Sequence, residues 1–230
     1  MPAAIRAGPP FNTDDPQPVD FLHWEFYLAS EEQFSYSGDV EATLPHLEIN
    51  YGAVPGVQLH LVAPMGYRRT NGRTNYGYGN TELGVKYRFI SETEATPQVG
   101  IFPLLELPTA SPEGQPGGGT FQAFLPLWIQ KSWGNLTTYG GGGFWYNPGE
   151  GRKNFSFAGW EVQYDFSRTL TVGSELYFHS ADSEDAGSSG AFSIGGYINF
   201  NDNNHLLFAF GHSITGEAVT TGYLGYQVTI

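Results

Sequence analysis

Alternation with a period of two constrains this chain more than any other feature. In Thr81–Ile90, Leu83, Val85, Tyr87 and Phe89 share one face while Glu82, Gly84, Lys86 and Arg88 share the other. Successive side chains of a strand point to opposite faces, so such a segment is a strand with one apolar and one polar side. The rhythm recurs in stretches of roughly ten residues from Phe21 to the end, the repetitive signature of a transmembrane β-barrel.

Composition agrees with that reading. Charged residues make up 14% of the 230 positions, well below the roughly 25% of soluble domains. Yet mean hydropathy is only −0.28, and no run reaches the about 18 apolar residues of a spanning helix. Interleaved lipid-facing and lumen-facing residues produce both results. Aromatics at 16% suit interfacial girdles and lipid-facing mass. A net charge of −13 argues against a nucleic-acid partner, whose phosphates demand a basic surface. The absence of cysteine excludes disulfide and thiolate chemistry. Met1–Pro10 lacks the apolar core of an export signal.

The expected fold is all-β: a single closed antiparallel transmembrane barrel of about 12 strands over residues 20–230. Its strands are Phe21–Ser30, Val40–Tyr51, Gly56–Pro64, Thr81–Ile90, Pro97–Leu107 and Thr120–Gln130, then Asn135–Tyr146, Asn154–Phe166, Thr169–Ser180, Gly190–Phe200, His205–Ser213 and Ala218–Ile230. Links after odd strands are long and polar (Glu31–Gly38, Gly66–Asn75, Pro108–Gly119, Asn147–Lys153, Ala181–Ser189) and the others short, except that Thr215–Glu217 is short for an external loop and Ser91–Thr96 long for a turn. That parity fits external loops at one barrel end and periplasmic turns at the other. Residues 1–19 are Pro-rich and non-periodic, a tail that is a candidate plug of the periplasmic mouth. Pro45, Pro103 and Pro126 fall inside strands and imply bulges or strand ends. Phe155 and Phe157 fall out of phase with Trp160, which implies a bulge near Gly159, and Gly140–Gly143 leaves the seventh strand's phase open.

The polar phase gathers Glu25, Glu48, Glu82, Glu106, Glu161 and Glu175, with His23, His46, His60, Lys86 and Arg88 beside them. On a closed sheet these face one lumen. They either line a solute pathway or form an interior charge ladder that seals a narrow barrel. No catalytic motif is present: there is no G-x-S-x-G elbow, H-E-x-x-H or P-loop. His179 with Ser180, and His212 with Ser213, are adjacent on strands and so point opposite ways. No cofactor or metal is expected, because His46, Glu48 and His60 lack tight ligand spacing. Asp14 and Asp15 read as a solvated turn rather than a calcium site.

At the end of the chain Leu224, Tyr226, Val228 and Ile230 alternate with Gly225, Gln227 and Thr229. This resembles the terminal strand that barrel-assembly machinery reads in outer-membrane proteins, with Ile230 where Phe is usual. Gly8–Pro16, Trp24–Ser30, Leu44–Tyr51, Thr81–Phe89 and Gly100–Pro108 together resemble the outer-membrane transporter family named after the meta-pathway of phenol degradation. The resemblance spans nearly the whole chain in order. It implies a Gram-negative outer-membrane barrel, surrounded by lipid and lipopolysaccharide, that passes small and often aromatic or hydrophobic molecules; it implies no defined binding residues. The expected function is therefore passive passage of a small solute, without enzymatic chemistry. The alternatives are a non-transporting structural or lipid-modifying barrel, and a soluble lipocalin-like binding protein.

Overall fold

The computed structural model describes residues 9–111 and 119–230, and among them the alternation becomes fourteen antiparallel strand segments. They are β1 (Trp24–Ser35), β2 (Val40–Val54), β3 (Val57–Thr70), β4 (Arg73–Tyr78), β5 (Thr81–Ile90), β6 (Gln98–Ile101) and β7 (Leu104–Leu107), followed by β8 (Gln122–Trp133), β9 (Leu136–Tyr146), β10 (Phe155–Asp165), β11 (Leu170–His179), β12 (Ser189–Asn201), β13 (Asn204–Thr215) and β14 (Val219–Thr229). Both β4 and β5 pair with β3, one above the other, so they are halves of one barrel strand. Likewise β6 and β7 both lie between β5 and β8. The first strand pairs with the last from Glu25↔Thr229 to Ser35↔Val219, which closes a 12-strand cylinder. Closure leaves no free edge to satisfy in lipid.

The outer face is apolar all the way round: Leu28, Leu47, Leu83, Leu127, Trp160, Leu176, Ile194 and Leu224 are all exposed. An unbroken apolar belt of this extent is foreign to a water-facing surface and suits hydrocarbon. The inner phase is buried. In β8, Gln122, Phe124, Pro126 and Trp128 are buried while Leu125 and Leu127 are exposed.

The expected strands are all present, but the first runs from Trp24 to Ser35 and not from Phe21 to Ser30, and three further features differ or need explaining. The Gly66–Asn75 link is mostly strand, because Asn71 (φ 51°) and Gly72 (φ 75°) make a two-residue turn that lets β3 and β4 pair up to Thr70↔Arg73. Asn-Gly with two positive φ angles is the hairpin turn that matches strand twist. Secondly, β10 carries no bulge near Gly159. Its register with β9 and β11 is unbroken, and Phe155 and Phe157 share the inward phase of Glu161. Thirdly, Pro45 sits at a register shift and Pro103 at the β6–β7 break, as expected, but Pro126 lies within continuous β8. It tolerates that position because the neighbouring strand is itself interrupted at Phe102–Pro103, opposite Leu125–Pro126. Residues 1–8 of the tail and 112–118 of the Pro108–Gly119 link lie outside the described residues.

The two sides of the interior differ. From β6 round to β11, Phe102, Phe124, Trp128, Trp145, Phe155 and Phe157 pack into one aromatic core. Phe124 stacks on Trp145 with ring centroids 4.7 Å apart, and Trp145 on Phe155 at 5.8 Å. The wall from β1 to β5 is polar. That division positions the candidate site.

Candidate functional site

Residues 9–20 run inside the cylinder and bridge its bore. The chain enters beside β2 and β3, where Leu22 N donates to Gly52 O at 2.8 Å and Val19 N to Gln58 Oε1 at 2.9 Å. Further in, Lys86 Nζ of β5 donates to Asp14 Oδ1 at 2.8 Å. The next residues meet the far wall on β11: Asn12 N and Thr13 N donate to Glu175 Oε1 and Oε2 at 2.9 and 2.7 Å. Asn12 Nδ2 and Ser193 Oγ also donate to Glu175, at 3.0 and 2.7 Å. Tyr197 then donates to Pro9 O at 3.3 Å. Round the barrel, β5 and β11 lie on opposite sides. Three consecutive tail residues thus span from one wall to the other.

Glycines shape the seat. A Cβ on Gly159 would overlap Thr13 Oγ1, one on Gly173 would crowd Glu161 Oε1 and the Phe11 ring, and one on Gly52 would overlap the Asp20 carbonyl. At Gly100 it would stand 3.0 Å from Pro16 Cβ. The wall is therefore contoured to the tail as well as bonded to it.

Asp14, expected in a solvated turn, is 1% exposed, because its carboxylate is the counter-charge of a buried ammonium. Asp15 stands 3.7 Å from the same nitrogen. The inward residues anticipated from phase are distributed as follows. His46, Glu48, His60, Glu82, Lys86, Glu161 and Glu175 are buried, whereas Glu25, Arg88 and Glu106 are half-buried. His23 is exposed.

On β2, β3 and β5 these groups form a connected row. Asn50 Nδ2 donates to Glu48 Oε1 at 2.7 Å, which turns Asn50 Oδ1 toward His60 Nδ1, also at 2.7 Å. His60 Nε2 lies 3.0 Å from Glu82 Oε1. His46 Nε2 is 3.7 Å from Glu31 and 3.9 Å from Glu48. Elsewhere Tyr27 donates to Glu25 at 2.7 Å and Asn80 to Glu106 at 2.7 Å. Arg88 donates to Gln17 of the tail and, at 3.2 Å, to Gln98. Glu161 stands in register with Glu175, so it belongs to the tail seat and not to the histidine row.

The tail separates two open chambers. The outer one is lined by Glu31, Glu32, Glu41, Glu82 and Glu106 and floored by Pro9–Asn12. The inner one is lined by Glu25, His46, Glu48, His60, Lys86 and Asp14. Glu31 and Glu82 touch both. Sequence reasoning ended the first strand at Ser30 and so missed Glu31 and Glu32, which belong to β1 beyond a bulge at Ala29/Glu31. Glu41 was missed too; it is inward on β2 and receives Arg68 Nε at 2.7 Å.

No family model matches the chain, and neither does any curated protein. Solved structures do match in fold. One is an outer membrane channel from Pseudomonas putida F1, with TM-score 0.74 and 13% identity, covering 94% of this chain and 98% of that one. Another is the KdgM porin in complex with disordered oligogalacturonate, with TM-score 0.60 and 12% identity over 89% and 98% of the two chains. The CymD monoaromatic hydrocarbon channel matches with TM-score 0.56 and 7% identity over 92% and 89%.

Proposed function

We propose that this chain is a bacterial outer-membrane channel that passes small molecules passively, with its own N-terminal tail as the gate. The observation that carries the reading is a cylinder greasy outside and polar inside, whose bore is bridged by a segment seated on Lys86 and Glu175. The inward acids and histidines line the route on either side of that bridge. The similar folds belong to channels and porins, and one of them is described as a monoaromatic hydrocarbon channel. This supports a channel role here, without fixing the solute. Transport requires no chemistry from the protein, and the reading assigns it none.

A sealed, non-transporting barrel is the second reading, favoured by the aromatic core that fills one side and the tail that crosses the other. Planar-bilayer conductance and liposome swelling separate the two. The full chain should conduct weakly, and a chain lacking residues 1–19 should conduct and swell vesicles faster. A reconstituted barrel that passes neither ions nor small solutes in either form overturns the channel reading.

A further inference from the structure

The tail occupies the bore by offering two kinds of group to two buried partners. Asp14 gives Lys86 a carboxylate, and Asn12 and Thr13 give Glu175 three N–H donors. Resting on the channel reading above, we infer that the solutes which open this bore are small peptide-like zwitterions, carrying a carboxylate for Lys86 and N–H or O–H donors for Glu175. The tail is then a built-in imitation of its own displacer.

Burial makes this demand. With the tail docked, Lys86 is 6% exposed and Glu175 1%, each covered by the tail residue that pairs with it. When the tail leaves, Glu175 keeps Ser193 alone of its four donors, and Lys86 loses both aspartates. Losing these charge-assisted partners weighs against the tail-out state, so a solute that restores them favours it, and one that cannot does not.

The docked tail is also an imperfect occupant. Asp14 Oδ2 and Thr13 Oγ1 are buried without a hydrogen-bond partner, a penalty that a better-fitted solute avoids. Charge narrows the class further. Acids line both chambers, so a simple anion is repelled on the way to Lys86. A zwitterion brings its own positive end, which those acids attract. Each chamber reaches one end of the seat: Ser193 and Asn12 line the outer chamber, Lys86 and Asp14 the inner.

The test uses the full chain in planar bilayers with two C-terminally amidated tetrapeptides of equal size, the net-neutral zwitterion Asn-Thr-Asp-Asn-amide and Asn-Thr-Asn-Asn-amide, which has no carboxylate. The zwitterion should raise open probability at about tenfold lower concentration than the control, the worth of one charge-assisted pair. Lys86→Met should remove that difference and Lys86→Arg should keep it. Equal responses to the two peptides in the unaltered protein overturn the inference whatever the variants do. Steady ion conduction that is indifferent to both peptides overturns it too and leaves the channel reading standing. Silence in every form, including the chain without residues 1–19, defeats both.

Discussion

Replacing Glu175 by leucine isolates the tail seat from the barrel. The carboxylate accepts from Asn12 N, Asn12 Nδ2 and Thr13 N, and leucine accepts from none. A donor left without its partner costs about 1–3 kcal/mol, and the lower end applies where chamber water can reach it. Three donors at about 1 kcal/mol each destabilise the docked state by about 3 kcal/mol, which shifts the docked-to-free ratio about 150-fold. The barrel ladder takes no part in these bonds. Glu175 also stands in register with Glu161, so removing its charge relieves a like-charge contact, which offsets the loss of the single wall hydrogen bond from Ser193 and should leave the barrel folded. Single-channel recording gives the first readout: Glu175→Leu should raise the open fraction steeply. Heat-modifiable migration on gels gives the second and should not change. Glu175→Gln, which keeps one carbonyl acceptor, should fall between the two. The reasoning is refuted if open fraction stays at the unaltered level while the barrel remains folded.

Three further outcomes follow from the same geometry. Gly159→Val places methyl groups where Thr13 Oγ1 lies, so the tail should be expelled and conductance raised, with partial recovery in the Thr13→Gly double variant; equal conductance in all three forms rules out the steric seat. Leu127→Lys puts a charge on the exposed lipid face of β8 and should lower barrel stability by about 2–4 kcal/mol in equilibrium unfolding from vesicles. Phe124→Ala empties the centre of the aromatic core and should cost about 3–5 kcal/mol in the same assay, without an increase in conductance as large as that of Gly159→Val.

The barrel was legible in the chain because its physics is local. Once Leu83, Val85, Tyr87 and Phe89 occupy one phase, pleating alone decides which way Glu82 and Lys86 point. The same rule applied strictly would have turned Phe155 and Phe157 inward with Glu161. Expecting every aromatic to face lipid introduced a bulge that β10 does not have. The aromatic core was hidden for that reason: Phe124 and Trp128 are apolar residues in the phase otherwise reserved for polar ones. The tail seat was hidden for a different one. Asp14 and Lys86 are 72 residues apart, and nothing periodic links an irregular Pro-rich segment to a strand. Only the closed cylinder brings them together, and only then do Gly159 and Gly173 read as space reserved for another part of the chain.

The chain contains no cysteine, so a pair can be introduced without interference. A protein carrying Thr13→Cys and Gly159→Cys joins the tail to the wall at the point where a Gly159 Cβ would touch Thr13. In planar bilayers the oxidised form should be locked at low conductance, and a reductant should release it to the level of the unlinked protein or above. If the crosslink forms in folded barrels and conductance is unaltered by reduction, the tail does not gate this bore.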